Sequence, residues 1–441
     1  MQQTLSTSSF KTKILRILAV LVTVALIAGG IWVDSNILID NPAKNRYKPF
    51  FKETENIDVM FFGNSHTTWS INPMQLFNDY GIASYNFGVS GIGSNISYMC
   101  LREAVNVNKP KIAIYEGYLA FQSNKLPDNF IEWSRDMFLG AYPVSLRKFK
   151  LIKELELTKS DRYKLLIPYY SYHNKKRNFN VFNKPSVSTK GFVYNATLLR
   201  NTNIHEKTIL DINEKINNPY YETVNFDYEN GVKYILEFIN FCKKESILPI
   251  IIFNPPATSV ELFKQADLVE TIANNEGVPF YNFLNNHLVC LETDLSTNFS
   301  EANPHLNFSG ARKVTDYIGN ILRNDFNVPD HRGEAAYAKW DEDYKEYRSY
   351  IFGKMRGLND FDTLLMSCNF ADISVKLFTA ENVSFDNVEQ KLIAQLKDNI
   401  EIIPVSGEEA DYALRIAVTD DITGEMITEK SFNIGSAFHA K

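Results

Sequence analysis

The chain has 441 residues, 45% of them apolar, a net charge of -6 and a pI near 5.8. That length exceeds what one hydrophobic core organises and predicts two or three folded units, while the apolar content excludes a disordered chain. Acidic and basic residues are interspersed, which excludes an electrostatic footprint for nucleic acid, so no nucleic-acid partner is expected.

Lys11, Lys13 and Arg16 precede Ile17 to Val33, a run without charge that ends near Trp32. With Ile14 and Leu15 it is about 20 residues long, roughly 30 Å as a helix, enough for a hydrocarbon core. The flanking cations favour a cytoplasmic N-terminus. Residues 1–34 therefore read as a cytoplasmic tip and single-pass membrane anchor, with everything after Asp34 extracytoplasmic. Ala28-Gly-Gly leaves a cleaved signal peptide as the competing reading.

A spacer over 35–56 leads into five short apolar runs: Val59 to Phe62, Ser84 to Val89, Lys111 to Tyr115, Pro249 to Phe253 and Val278 to Phe283. They alternate with helical periods, the signature of an α/β doubly wound parallel sheet, here over 57–329. Ile96 to Val107 suits a helix. Tyr228 to Glu245 places Val232, Ile235, Leu236, Ile239 and Cys242 on one face, and a last helix after Gly310 does so with Val314, Tyr317, Ile318, Ile321 and Leu322.

From about 121 to 221 the alternation breaks into aromatic and basic residues, as in Ile167-Pro-Tyr-Tyr-Ser-Tyr-His-Asn-Lys-Lys-Arg177. So long an insertion predicts a helical cap over the site, or an ordinary packed insertion with a solvated face. His173 within it is either a substrate contact or a surface histidine. Residues 330–360 read as a charged connector, helical or partly disordered. Residues 361–441 form a small α+β accessory domain, with strands at Ile373 to Phe378, Ile400 to Pro404, Tyr412 to Val418 and Met426 to Phe432, and a helix over Val388 to Leu396. Cys100, Cys242, Cys290 and Cys368 are widely spaced and read as buried thiols, with a single disulfide in an oxidising compartment as the alternative.

Two segments carry candidate chemistry. The first is Asp58-Val-Met-Phe-Phe-Gly-Asn-Ser-His-Thr-Thr-Trp-Ser-Ile-Asn-Pro73, where a strand runs into a tight turn. Ser65 there sits at the carboxyl edge of the sheet, where open α/β sheets bind ligands, although a serine at a strand-to-helix junction also serves as a plain N-cap. The second is Asn303-Pro-His-Leu-Asn-Phe-Ser-Gly310, a histidine just before a helix. The histidines form no metal-ligand motif, and Gly88-Val-Ser-Gly-Ile-Gly93 lacks the order of a dinucleotide loop, so no metal or cofactor is expected.

Together the two segments resemble the first and last blocks of the SGNH/GDSL hydrolase superfamily. The first string is similar to membrane-anchored bacterial branches related to D-alanyl-lipoteichoic acid proteins and exopolysaccharide O-acetyltransferases. The resemblance covers about Ile57 to Phe326 and implies a flavodoxin-like SGNH fold, with Ser65 as nucleophile and His305 as general base. Two positions depart from it. The acid expected three residues before the histidine is Ala302, flanked by Glu301 and Asn303, of which Glu301 is the better substitute on charge grounds. The asparagine expected after the third strand is absent, since that strand ends Ile114-Tyr-Glu-Gly-Tyr118. The oxyanion hole would then rest on the N–H groups of Ser65 and Gly88, with Asn64, His66 and Asn303 as further pocket residues. The implied function is a serine esterase or O-acyltransferase acting on acyl esters of a cell-envelope polysaccharide. Its partners would be an acylated glycan or acyl donor and a membrane acyl-transfer protein. The altered positions keep a second reading open, a noncatalytic binding protein in envelope polymer assembly.

Overall fold

A parallel strand has both faces in the core and needs helices on both sides. The computed structural model describes residues 6–33, 46–47, 49–53, 56–121, 139, 142, 145–154, 159–166, 187–199, 227–255, 260–284, 291–300, 305–380, 383–405 and 414–432. They belong to two compact units, Met1–Lys48 with Pro127–Ser186, and Pro49–Leu126 with Val187–Lys441.

In the first unit the helix Ser6–Val33 contains Lys11–Ile31, 21 residues of mean hydropathy 2.5 with none of that span buried. Among the described residues it is the one helix long and apolar enough to cross a membrane. The helices Leu146–Glu154 and Lys159–Leu166 are the described part of the expected insertion in this unit.

The second unit begins with β1 (Val59–Gly63), α1 (Ser65–Ser70), α2 (Pro73–Tyr80), β2 (Ser84–Gly88), α3 (Ser94–Val105) and β3 (Ile112–Glu116). After the insertion come α4 (Tyr228–Lys244), β4 (Leu248–Phe253), α5 (Val260–Glu276), β5 (Phe280–Asn282), α6 (Leu295–Asn298) and α7 (Phe308–Asn324). The strands form one sheet in the order β2-β1-β3-β4-β5, with every pairing parallel.

Alternation sorts the side chains to two faces. Val59, Phe61, Ile112, Ile114, Ile250 and Ile252 share a core with Leu76 of α2 and with Val314, Ile318 and Leu322 of α7. Phe62 and Tyr115 point the other way, onto Phe238 of α4 at 5.7 and 5.2 Å between ring centres. Each such aliphatic side chain contributes roughly 1.5–3 kcal/mol by leaving water. β5 is shorter than its apolar run, because the Val278 N–H is bonded to the Ala273 carbonyl at the end of α5 and pairing starts only at Phe280.

Of the expected insertion, residues 187–199 lie in this second unit and run along the sheet domain. The Lys190 carbonyl accepts the Asn86 N–H, Val193 N–H donates to the Thr68 carbonyl, and Leu199 N–H donates to the Phe299 carbonyl. The charged connector contains a 20-residue helix, α8 (Ala338–Gly357), whose Trp340, Tyr347, Ile351 and Met355 are buried. α9 (Phe361–Ser367) follows, capped by Asp360. Next come β6 (Ile373–Ala380), α10 (Asn387–Leu396), β7 (Ile400–Val405), β8 (Leu414–Asp420) and β9 (Met426–Phe432). This second sheet has the order β7-β6-β8-β9, parallel only between β6 and β7. Cys100, Cys242 and Cys368 are free and buried, and Cys290 lies outside the described residues.

Lys190 fastens several of these parts. Its side chain is fully buried, pairs with Glu53 and with Asp343 of α8 (2.8 Å), and lies over the Trp340 ring at 4.1 Å. Removing one partner of a buried pair strands the other charges. Lys190→Met is expected to cost roughly 3–5 kcal/mol in a denaturant melt. Stability unchanged within error would show that Glu53 and Asp343 are not held by this amine.

Candidate active site

β1 and β2 are paired in register to their last residues, Gly63 opposite Gly88, and β3 and β4 to Glu116 opposite Ile252. The segments that leave these strands therefore open at one edge of the sheet, its carboxyl edge.

The turn after β1 is organised by Asn64. It is the N-cap of α1, accepting the His66 N–H through its side-chain oxygen at 2.7 Å, while its Nδ2 donates to the Tyr118 carbonyl. Ser65 is consequently the first helical residue and carries no capping duty. Its Oγ lies 2.7 Å from His305 Nε2, across 240 positions of chain.

His305 comes from a hairpin between α6 and α7. Phe299 bridges Leu306, and the His305 carbonyl accepts Ser300 N–H at 2.9 Å and Ser300 Oγ–H at 3.2 Å. The imidazole is set between Trp69, edge-on at 4.2 Å, and His66, tilted at 4.7 Å. His305 is 7% exposed, and Ser65 and Trp69 are half-buried. A hydroxyl bonded to a ring nitrogen is the arrangement nucleophilic acyl chemistry requires.

His66 is a different kind of group. Its ring lies flat on Tyr118 at 3.5 Å and 17°. Burial, then the charge of His305, hold its pKa well below the ordinary imidazole value, against the pull of a hydrogen bond to the Pro255 carbonyl. A neutral ring fixed in this way is a packing partner of His305.

Gly88 does not offer the N–H expected of it. That N–H donates to Asn86 Oδ1 at 2.9 Å. A Cβ there would come within 2.6 Å of the Thr68 N and 2.8 Å of the Asn64 carbonyl oxygen, so this glycine lets α1 lie directly on β2. Glu301 and Asn303 lie outside the described residues, as does His173.

Four residues escaped the sequence reading. Glu116, 1% exposed at the end of β3, accepts the N–H groups of Tyr118 (3.0 Å) and Asn254 (3.2 Å) on Oε1. Tyr118 carries the His66 ring, and Asn254 donates to the His66 carbonyl at 3.4 Å. One carboxyl thus ties together the two loops that hold His66. Trp69 is the fourth, against the His305 ring. The available signal was an acid ending the apolar strand Ile112-Ala-Ile-Tyr-Glu116.

Burial pushes the Glu116 carboxyl from 4.5 up to about 8, with the two backbone bonds pulling the other way. The folded protein therefore holds a proton that the unfolded chain releases above about 4.5. Stability from this group is complete below that pH and is lost, at about 1.4 kcal/mol per unit, as pH rises toward about 8. Glu116→Gln is expected to flatten the fall of Tm over this window. Parallel Tm–pH curves for the two proteins would show that Glu116 ionises freely in the fold.

No family model and no curated protein matches the chain. Among solved structures, a Bacteroides fragilis protein provisionally described as an acylhydrolase aligns at 12% identity and a TM-score of 0.34, over 66% of this chain and 98% of its own. A Desulfitobacterium hafniense protein provisionally described as lipolytic, of the G-D-S-L family, aligns at 11% and 0.33, over 60% and 100%. At such distance neither transfers a residue role.

Proposed function

We propose that the chain is an SGNH-type serine esterase or O-acyltransferase, held at the cell membrane by its N-terminal helix. The observation that carries the reading is the 2.7 Å hydrogen bond between Ser65 Oγ and His305 Nε2 at the carboxyl edge of a parallel sheet. In the proposed cycle His305 takes the Ser65 proton as Oγ attacks the ester carbonyl carbon. The carbon–oxygen bond to the leaving alcohol then breaks, the imidazolium returns the proton to that alkoxide, and an acyl-serine remains. Water or a sugar hydroxyl, deprotonated by the same ring, attacks the acyl carbon and frees Ser65.

The oxyanion would be met by the Ser65 N–H, at the first position of α1, where a helix leaves its N–H groups without helical acceptors. A second donor is assigned to the turn after β2, where Gly91 at φ 71 turns the backbone at the same sheet edge. Glu301, or Asn303, is the proposed partner of the other His305 ring nitrogen. Lys11, Lys13 and Arg16 in the first part of the helix, ahead of its uncharged run, support a cytoplasmic tip and an extracytoplasmic site. The acyl esters within reach there are those of cell-envelope polysaccharides, and a membrane protein handing over the acyl group is the proposed partner of a transferase.

A fluorophosphonate probe tests this directly. Wild type is expected to label at one site, Ser65→Ala not at all, and His305→Ala roughly 10²–10⁴-fold more slowly. A wild-type protein that takes no label would overturn the enzymatic reading in favour of a binding protein in envelope polymer assembly.

A further inference from the structure

The hairpin bearing His305 is braced at its base by side chains from the C-terminal part of the fold. Asn298 begins one arm and Asn307 ends the other, joined by the Asn307 N–H to the Asn298 carbonyl at 3.1 Å. Gly310 brings this base against the first turn of α7, since a Cβ there would stand 2.2 Å from the Asn298 oxygen. Into the same place reaches Gln395 of α10. Its Oε1 accepts the Ser309 hydroxyl at 2.9 Å and the Asn298 amide at 3.3 Å, and its Nε2 donates to Thr297 Oγ1 at 2.6 Å. Asn369, just after α9, donates to Ser309 Oγ at 2.9 Å, as does Asn298 at 3.0 Å. Lys391, one turn before Gln395, pairs with Asp294, the N-cap of α6, at 2.8 Å.

Thr297, Asn298 and Ser309 are fully buried. Burying such groups costs free energy unless each finds a partner, so simple adhesion between α10 and the sheet domain would be served better by apolar side chains. A satisfied polar network instead selects one register. The path to the ring is short: Asn307 Nδ2 donates to the Thr297 carbonyl at 2.9 Å, and Asn307 is two residues from His305.

We infer that Gln395 is a positioning residue for His305, and that α10 braces the hairpin that carries the general base. This rests on the reading of Ser65 and His305 as nucleophile and base.

The test uses the full chain in detergent. Gln395→Leu removes both acceptor bonds and the donor, whereas Gln395→Glu keeps the acceptor and lets the Thr297 hydroxyl donate to it. For p-nitrophenyl acetate, Gln395→Leu is expected to lower kcat about 10- to 100-fold with KM close to wild type, together with a lower melting temperature because Thr297, Asn298 and Ser309 lose a buried partner, and Gln395→Glu to restore most of both losses. In parallel the His305 imidazole NMR signals should move in Gln395→Leu and stay in place in Gln395→Glu. A wild-type kcat with unmoved imidazole signals in Gln395→Leu would overturn the brace. Should wild type fail to label with the fluorophosphonate, the enzymatic reading falls by itself, and the imidazole signals then decide the brace alone.

Discussion

The site hangs on the side chain of Asn64. One end of that amide accepts the His66 N–H, the second of α1, and the other holds the Tyr118 carbonyl, so the exits of β1 and β3 are locked to each other. The Asn64 carbonyl accepts Thr67 N–H and Thr68 N–H at 3.2 Å, which closes the first turn of the helix. Because asparagine does the capping, the neighbouring serine is left with a hydroxyl that no backbone donor among the described residues claims. Capping and nucleophilic chemistry compete for the same kind of oxygen at a strand-to-helix junction, and here adjacent residues divide the two tasks.

Around that turn the rings form a continuous pile: Trp69, His305, His66 and Tyr118, with Phe253 beyond at 5.9 Å. A pile of this kind fixes the orientation of His305 without a hydrogen bond to each ring. It also explains why His66 is so dry, and why the polar groups beneath it are supplied by Glu116 and Asn254.

Much of this was legible from residue order. Runs such as Val59 to Phe62 and Pro249 to Phe253 are apolar at every position because both faces are covered, and their length of four or five residues separates them from a helix of similar composition. Ser65 and His305 could be named since each stands in a recognisable string. α2 was not anticipated, although Asn72-Pro73 is a good start signal, with Asn72 capping Met74 and Gln75. What stayed hidden are residues whose meaning exists only after folding. Gly88 looked like an oxyanion glycine and is a packing glycine, a distinction that depends on where Thr68 lands. Glu116 and Asn254 are single letters at the ends of two strands far apart in the chain, and only the parallel register brings them together.

The helix Ala338–Gly357 carries a practical lesson for anyone trimming the molecule. Trp340 lies 5.3 Å from Phe77, the Tyr347 hydroxyl accepts from the Asn72 amide at 2.8 Å, and Arg348 reaches Asp420 on the far sheet. Ending an expression clone at Asn324, where the first sheet's last helix stops, would bare an aromatic socket on α2 and leave Asn72 wanting an acceptor. Soluble versions should run through Phe432, however self-contained the amino-terminal sheet looks on paper.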